Sequence, residues 1–212
     1  MFTGLIEYVG SVLQVRPVPT GEQLRIDLGP LAEGTRVGDS FAVDGVCLTV
    51  AAARGTHADF DVVATTLAAT TLGGFTANSR VNLERPITLS DRLAGHLVAG
   101  HVDGLATLRT LSCQGKSRIA YFQTNRELTD FMIPRGSVAL NGVSLTLASL
   151  ENGAFSVALI PVTLTGTNLG QLQTGQSVNI ETDLIGKYVA KLIAADRKGR
   201  ITMETLREQG FA

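Results

Sequence analysis

The stretch Phe41-Ala42-Val43-Asp44-Gly45-Val46-Cys47-Leu48-Thr49-Val50 recurs 97 positions later as Val138-Ala139-Leu140-Asn141-Gly142-Val143-Ser144-Leu145-Thr146-Leu147. The same offset relates Thr66-Leu67 to Thr163-Leu164. A period of this length indicates tandem domains rather than a solenoid, because each copy has the size of an ordinary small domain. The 212-residue chain is therefore predicted to contain two related domains.

The two copies differ in their reactive side chains. Cys47 in the first copy corresponds to Ser144 in the second. After a slip of one residue, Gly4-Leu5 at the start of the first copy corresponds to Gly100-His101 at the start of the second. The thiol and this imidazole therefore belong to different copies.

Composition excludes several classes of function. The net charge of −1 leaves no basic excess for binding nucleic acid or an anionic membrane surface. Residues 1–7 lack the basic flank and apolar core of a signal peptide, and no apolar run is long enough to span a bilayer. We therefore expect a cytoplasmic protein, in which Cys47 and Cys113 are free thiols.

Many short strands separated by glycine and polar turns predict an all-β fold of two small antiparallel barrels with short helices. Residues 41–50 and 138–147 are each predicted to form one core strand. Alternation along the first of these strands places Cys47 and Thr49 on one face with Phe41 and Val43. The predicted domains are residues 1–96 and 97–183.

The segment after the second copy predicts an amphipathic helix over residues 184–196. Its apolar residues recur at spacings of three and four, namely Leu184, Ile185, Tyr188, Val189, Leu192 and Ile193. The helix has no counterpart in the first copy, so it either packs on its own domains or assembles subunits. Residues 197–212 are predicted to form a polar, loosely ordered tail.

Motifs for phosphate or metal binding are absent from the sequence. There is no phosphate-cradling glycine loop and no Cys-x-x-Cys pair. His96 and His101 are five residues apart, which on an extended segment puts them on opposite faces and disfavours a shared metal. We therefore predict no metal site, and we assign His96 to packing.

Hydroxyl side chains form matching sets in the two copies: Ser40, Thr49, Thr65 and Thr66 in the first, and Ser137, Ser144, Thr146 and Thr163 in the second. Barrel faces with small hydroxyl groups suit a flat, polyhydroxylated ligand. The alternative is that these residues are β-formers whose hydrogen bonds are satisfied within their own sheets.

Several ordered segments resemble the signature segments of the riboflavin synthase family, alpha-chain type: Met1-Phe2-Thr3-Gly4-Leu5-Ile6-Glu7, Asp44-Gly45-Val46-Cys47-Leu48-Thr49-Val50, Val81-Asn82-Leu83-Glu84-Arg85, 95–104 and Asn141-Gly142-Val143-Ser144-Leu145-Thr146. The resemblance covers both repeats and the terminal helix. It implies two six-stranded Greek-key barrels and a helix that builds a homotrimer. It also implies that two molecules of 6,7-dimethyl-8-ribityllumazine dismutate to riboflavin and 5-amino-6-(D-ribitylamino)uracil, with no cofactor or metal.

The resemblance places each active site between the first barrel of one subunit and the second barrel of its neighbour. One lumazine is expected at Gly4, Leu5, Ile6, Cys47, Leu48, Thr49, Asp61, Val62, Val63, Ala64, Thr65 and Thr66. The other is expected at Gly100, His101, Val102, Arg135, Ser144, Leu145, Thr146, Leu159, Ile160, Pro161, Val162, Thr163 and Leu164. Phe2 and Thr3 complete the expected substrate-binding set.

Three residues are expected to be catalytic. The C7 methyl group of the lumazine is acidic because its anion delocalises into the ring, so His101 suits the role of base. Cys47 is expected to add to C7 of the partner molecule or to position a water that does so. Ser40 supports Cys47 by hydrogen bonding, together with Thr49.

The chain departs from the family's common pattern at several positions. Members commonly have Glu where Thr65 stands, Lys where Arg135 stands, and Asp where Asn141 stands. The alternative function is a non-catalytic lumazine- or flavin-binding protein, like the fluorescent lumazine proteins, which typically lack the segment from His96 to His101. An association with lumazine synthase is also expected for a member of this family.

Overall fold

The computed structural model describes residues 1–199 and Arg207 of the chain. Twelve strands lie in this part of the chain. The first six are β1 Tyr8–Val18, β2 Gly21–Asp27, β3 Ser40–Val43, β4 Val46–Arg54, β5 His57–Val63 and β6 Arg80–Glu84. The next six are β7 Gly104–Gln114, β8 Ser117–Gln123, β9 Ser137–Leu140, β10 Val143–Glu151, β11 Ala154–Leu159 and β12 Ser177–Thr182.

The strands form two closed, antiparallel, six-stranded barrels. The ring order of the first barrel is β1-β2-β5-β4-β3-β6, and the second barrel repeats it as β7-β8-β11-β10-β9-β12. Closure leaves no free sheet edge in either barrel. The predicted all-β fold with two tandem barrels is confirmed.

The prediction that residues 41–50 and 138–147 form single strands is wrong, since each stretch is a β-hairpin. Val43 pairs with Val46 across a two-residue turn at Asp44-Gly45, and Leu140 pairs with Val143 across Asn141-Gly142. Asp44 and Asn141 have φ of 45° and 44°, and the following glycines have 77° and 78°. Asp-Gly and Asn-Gly favour such turns because both residues tolerate positive φ.

Among the described residues, four helices connect or follow the strands. They are α1 Ala64–Ala69, α2 Arg126–Thr129, α3 Pro161–Gly166 and α4 Leu184–Gly199, and single 3₁₀ turns lie at Gly29–Ala32, Thr71–Gly74 and Asn168–Gln171. The stretch 64–74 is divided between α1 and the second 3₁₀ turn because Thr70 is extended. The predicted terminal helix is confirmed, whereas most of the predicted tail lies outside the described residues.

Each barrel encloses its own apolar core, built from residues that alternate along the strands. Phe41 and Phe60 meet edge to face in the first barrel, with ring centroids 6.1 Å apart. Phe122 and Phe155 stack in the second, with centroids 5.5 Å apart. Along the described chain, every helix falls short of the length and hydrophobicity that a membrane span requires.

A buried polar network joins the two hairpin turns where the barrels meet. The Asn82 Nδ2 donates to the Asn141 carbonyl at 2.9 Å, and the Asn179 Nδ2 donates to the Asp44 carbonyl at 2.9 Å. The Asp44 carboxylate accepts from the Asn82 N–H and from the Asn168 side chain. Burial raises the pKa of Asp44 to about 7. Asn141 thus belongs to the barrel interface.

Candidate active site

A pocket of about 290 Å³ opens beside Cys47 on the outside of the first barrel. Strand β4, helix α1 and the segment that follows the first barrel form its walls. We call it the first pocket and define it by Val46, Cys47, Thr65, Thr66, Ala69, Thr70, Gly100, His101 and Val102. It therefore combines a thiol, three hydroxyls and an imidazole.

The alternation of β4 directs Cys47 towards this pocket. Val46, Leu48 and Val50 are buried in the barrel, whereas Cys47 is partly exposed and Thr49 is exposed. Cys47 lies opposite Ala42 in the register of β3 and β4, so it shares a face with Ala42. The predicted common face with Phe41 and Val43 is therefore wrong, because the hairpin turn reverses the chain between them.

Gly100 forms the part of the pocket wall nearest to the thiol. Its carbonyl accepts a hydrogen bond from the Cys47 N–H at 2.9 Å. A Cβ added to Gly100 would lie 2.6 Å from the Cys47 Cβ, and its φ of +81° disfavours any side chain. Glycine is thus required here by both close approach and backbone conformation.

Ser144 occupies the equivalent place on the second barrel. Its N–H donates to the Gly4 carbonyl at 2.8 Å, and a Cβ on Gly4, at φ +77°, would lie 2.6 Å from the Ser144 Cβ. His96 lies on the other side, with its Nδ1 2.7 Å from the Ser144 Oγ. We call Gly4, His96 and Ser144, with Leu5 and Ile6 beside them, the second site.

The electrostatics of the second site favour a neutral imidazole. Burial lowers the pKa of His96. Its Nε2 is buried and has no hydrogen-bond partner among the described residues. A neutral imidazole can accept a proton.

The grouping of the two glycine segments predicted from the sequence is wrong. Gly4, expected beside Cys47, contacts Ser144, and Gly100, expected beside Ser144, contacts Cys47. Ile6 packs against the core of the second barrel, and Val102 packs against that of the first. Each barrel is thus covered by the segment that precedes the other barrel.

His96, assigned to packing, also contacts Ser144, which the sequence did not predict. Residues 95–103 do not form a continuous strand, so strand alternation does not apply to them. His96 is brought to Ser144, and His101 is brought to the first pocket with Cys47. Each site therefore contains one imidazole and one side chain with a nucleophilic atom.

Some predicted substrate-binding residues have buried side chains. Phe2 is fully buried in a small cluster with Ala42, Val98 and Ala139, against which Cys47 packs. We therefore place Phe2 beneath the first pocket rather than within it. The side chains of Leu48, Val62, Leu145 and Leu159 point into the barrel cores, so only their backbones can meet a ligand.

Other predicted residues lie on the surface around the two sites. Ser40 is opposite Thr49 and faces the same side as Cys47, although it does not line the first pocket. The Asp61 carboxylate accepts a hydrogen bond from Gln23 at 2.7 Å. The remaining exposed or partly exposed members are Val63, Ala64, Arg135, Thr146, Ile160, Pro161, Val162, Thr163 and Leu164.

Sequence reasoning missed Val46, Ala69, Thr70 and His96 as site residues. Thr70 corresponds to Thr167 in the second copy, so the repeat could have indicated it. The contribution of the others depends on how the chain folds back, which no local pattern indicates. Within residues 1–199, no three side chains of the metal-binding types come together as a metal site.

Comparison with known proteins identifies the family of this chain. The profile of the lumazine binding domain matches residues 3–86 and again residues 99–183, once for each barrel. The riboflavin synthase of Actinobacillus pleuropneumoniae is 34% identical to the chain, and the alignment covers all of both proteins. The chain belongs to the riboflavin synthase family. Within this family, the enzyme of Chlamydia pneumoniae is 39% identical over 93% of this chain and all of its own length.

Solved structures of LumP resemble the structure of this chain. LumP complexed with 6,7-dimethyl-8-(1'-D-ribityl) lumazine superposes with a TM-score of 0.78, at 22% identity, over 86% of this chain and 99% of LumP. LumP complexed with riboflavin gives a TM-score of 0.80 at 23% identity, over the same shares of both chains. At this level of identity the likeness supports the fold of two tandem barrels.

Proposed function

We propose that the protein is a riboflavin synthase. It takes two molecules of 6,7-dimethyl-8-ribityllumazine and transfers a four-carbon unit from one to the other, giving riboflavin and 5-amino-6-(D-ribitylamino)uracil. The observation that carries this proposal is the pair of equivalent sites with different nucleophilic atoms, the sulfur of Cys47 in one and the oxygen of Ser144 in the other. The full-length similarity to riboflavin synthases supports it.

The reaction requires such a pair of sites. Its two substrates are the same molecule, so two sites of similar shape are needed to hold them. One molecule loses four carbons and the other gains them, so the sites must act differently on identical ligands. A shared barrel fold meets the first requirement, and the exchange of thiol for hydroxyl meets the second.

We propose that a homotrimer brings the first pocket of one subunit opposite the second site of its neighbour. Helix α4 supports this assembly, because its apolar residues Ile185, Tyr188, Leu192 and Ile193 are more than half exposed in the single chain. Exposed apolar faces of this kind mark interaction surfaces. Our proposal includes a cytoplasmic location, an association with lumazine synthase, and domains bounded at residues 1–96 and 97–183.

We propose roles for Cys47 and for the two imidazoles. Cys47 adds to C7 of the lumazine in the first pocket, or holds the water that does, with Ser40 and Thr49 on the same face. A base removes a proton from the C7 methyl group of the other lumazine. His101 faces that molecule across the subunit boundary, and His96 beside Ser144 is the second candidate base.

The alternative function is a lumazine or flavin carrier without catalysis. To distinguish the two, the purified protein is incubated with 6,7-dimethyl-8-ribityllumazine alone, and riboflavin is followed by absorbance and chromatography. Turnover without an added cofactor is the expected result. Tight binding of the lumazine with no riboflavin formed would overturn the synthase proposal and support the carrier.

A further inference from the structure

Two buried glutamates end the last strands of the two barrels. Glu84 on β6 and Glu181 on β12 occupy equivalent positions of the repeat, and each exposes only 3% of its surface. In the described part of the chain, Glu84 accepts hydrogen bonds from N–H and O–H donors, and Glu181 accepts them from N–H donors. Neither carboxylate is paired with a cation in these residues. Their partners lie in segments outside the barrels.

Glu181 binds the segment that covers the first pocket. Its carboxylate accepts from the N–H groups of Ala99, Gly100 and His101 at 2.7, 3.0 and 3.1 Å. Three consecutive N–H groups converge on one anion because Gly100 has positive φ, which turns successive amides to the same side. The Gly100 carbonyl meets Cys47, and His101 enters the first pocket. A carboxylate of the second barrel thus fixes one wall of the first pocket.

Glu84 does the same for the second site. Its carboxylate accepts from the Thr3 N–H at 2.6 Å, from the Thr3 hydroxyl at 2.7 Å and from the Gly4 N–H at 3.0 Å. The Gly4 carbonyl then receives the Ser144 N–H, and the Thr3 carbonyl receives the His96 N–H at 3.1 Å. A carboxylate of the first barrel thus fixes the wall of the second site.

We propose that Glu84 and Glu181 are positioning residues that act crosswise, each holding in place the wall of the site on the opposite barrel. Glu181 sets the position of His101 against Cys47. Glu84 sets the position of Gly4 and His96 against Ser144. The description of these sites as substrate sites rests on the proposed function, whereas the crosswise contacts do not.

The chemistry of the side chain supports a positioning role. Burying a carboxylate without a cation is unfavourable, and burial raises the pKa of both glutamates. A carboxylate can accept several N–H groups at once, which no neutral side chain of this size does. Glutamine has one acceptor oxygen, and its amide N–H₂ would oppose a backbone N–H. The substitution Glu→Gln therefore releases the segment with little change in shape.

The thiol reports on Glu181. Cys113 is exposed at the end of β7 and away from both sites, so Cys113→Ser leaves Cys47 as the single thiol. In this background, Glu181→Gln is expected to raise the rate of Cys47 alkylation by iodoacetamide about tenfold or more, because the Gly100 wall opens. Glu84→Gln is the matched control, with the same chemistry and burial, and is expected to leave the rate within about twofold.

The imidazoles report on both glutamates. The chain has three histidines, so selective ¹³C labelling gives three imidazole signals, with His57 at the start of β5 as an internal control. Glu84→Gln is expected to shift the signal of His96 and leave that of His101, and Glu181→Gln is expected to do the reverse. If each variant perturbs both signals and the thiol equally, or perturbs none, crosswise positioning is overturned.

The unmodified protein provides a test that does not depend on variants folding. The amides of Thr3, Gly4, Ala99, Gly100 and His101 lie outside the strands, yet we expect them to exchange with deuterium as slowly as strand amides. Exchange at the rate of an open loop would overturn the proposal. None of these measurements uses turnover, so absence of riboflavin formation would count against the synthase proposal alone.

Discussion

The two barrels share one scaffold and differ where the chain meets a ligand. Ring order, hairpin turns and buried glutamates are the same in both. Cys47 is replaced by Ser144, and His101 in the first pocket corresponds to Leu5 at the second site. Duplication thus preserved the architecture of the site while the reactive side chains diverged. An enzyme that acts in opposite senses on two identical molecules needs this kind of inequality.

The largest effect is expected from making the two sites alike at their nucleophile. Cys47→Ser gives the first pocket the hydroxyl of the second site and removes the more nucleophilic atom. We expect riboflavin formation to fall about 100-fold or more, as for loss of a nucleophile or its activation. Lumazine affinity, measured by fluorescence titration, is expected to change by less than about threefold because shape is retained.

Ser144→Cys is the matched control for this substitution. It makes the two nucleophilic atoms alike in the other direction, but it keeps Cys47 and leaves His101 and Leu5 unequal, so it is expected to retain most of the rate. If Cys47→Ser lowered affinity and rate equally, the thiol would be a binding residue and the inequality of the sites would have another origin.

The second effect concerns stability and depends on pH. Asp44 and Asn141 occupy the same turn position, but only Asp44 is ionisable. Its pKa rises from 3.8 to about 7 on folding, so the native state holds a proton that the unfolded state releases between these values. Asp44 therefore lowers the free energy of unfolding as pH rises through this range.

Asp44→Asn copies the second barrel and removes this pH dependence. The difference in free energy of unfolding between the variant and the parent protein is expected to change by about 2–4 kcal/mol, in favour of the variant, from pH 4 to pH 8. Urea unfolding at the two pH values measures the difference. An identical pH dependence in parent and variant would show that the buried Asp44 carboxyl does not distinguish the two turns.

A smaller effect is expected from the two imidazoles. His96 lies beside Ser144, and His101 lies in the first pocket. Whichever imidazole is the base, its removal should lower the rate about tenfold to 100-fold and remove the acidic limb of the pH–rate profile. His96→Gln and His101→Gln are compared by this profile. Because burial lowers the pKa of His96, a limb that depends on it should inflect below 6.5. If both variants keep the parent's profile, neither imidazole is the base.

The smallest effect lies at the turns before β3 and β9. Gly38 and Arg135 are equivalent positions, and both have positive φ, 93° and 64°. Arg135→Gly is expected to stabilise the protein by about 0.5–1 kcal/mol, because a side chain is disfavoured in this conformation. Thermal unfolding measures the gain. A loss of stability would mean that Arg135 makes contacts that offset its strain, and a parallel loss of lumazine affinity would assign it to the ligand.

The repeat made the architecture predictable from the sequence. An offset of 97 residues over several segments predicted two tandem barrels, and both were found. The Asp44-Gly45 and Asn141-Gly142 turns were missed because the apolar alternation was continued through them. That error also placed Cys47 on the same predicted face as Phe41 and Val43, whereas it shares a face with Ala42. The dipeptides themselves are strong hairpin signals, so both turns could have been predicted from the sequence.

The crosswise covering of the two sites could not be predicted from the sequence. A repeat predicts which positions are equivalent, but it does not tell whether Gly4 covers its own barrel or the other one. That choice is made by tertiary contacts, here through Glu84 and Glu181, whose partners are about 80 residues distant. His96 was missed for the same reason, since its partner Ser144 is 48 residues away.

The most direct measurement combines two variants, one altered in each site. Cys47→Ser lacks the thiol of the first pocket, and Ser144→Ala lacks the hydroxyl that contacts His96 in the second site. If the unequal sites of neighbouring subunits form one active site, subunit exchange between the two variants should create boundaries at which both sites are intact. Riboflavin formation by the exchanged mixture should then exceed that of either variant alone. A mixture no more active than its parents would contradict an active site built from two unequal barrels of different subunits.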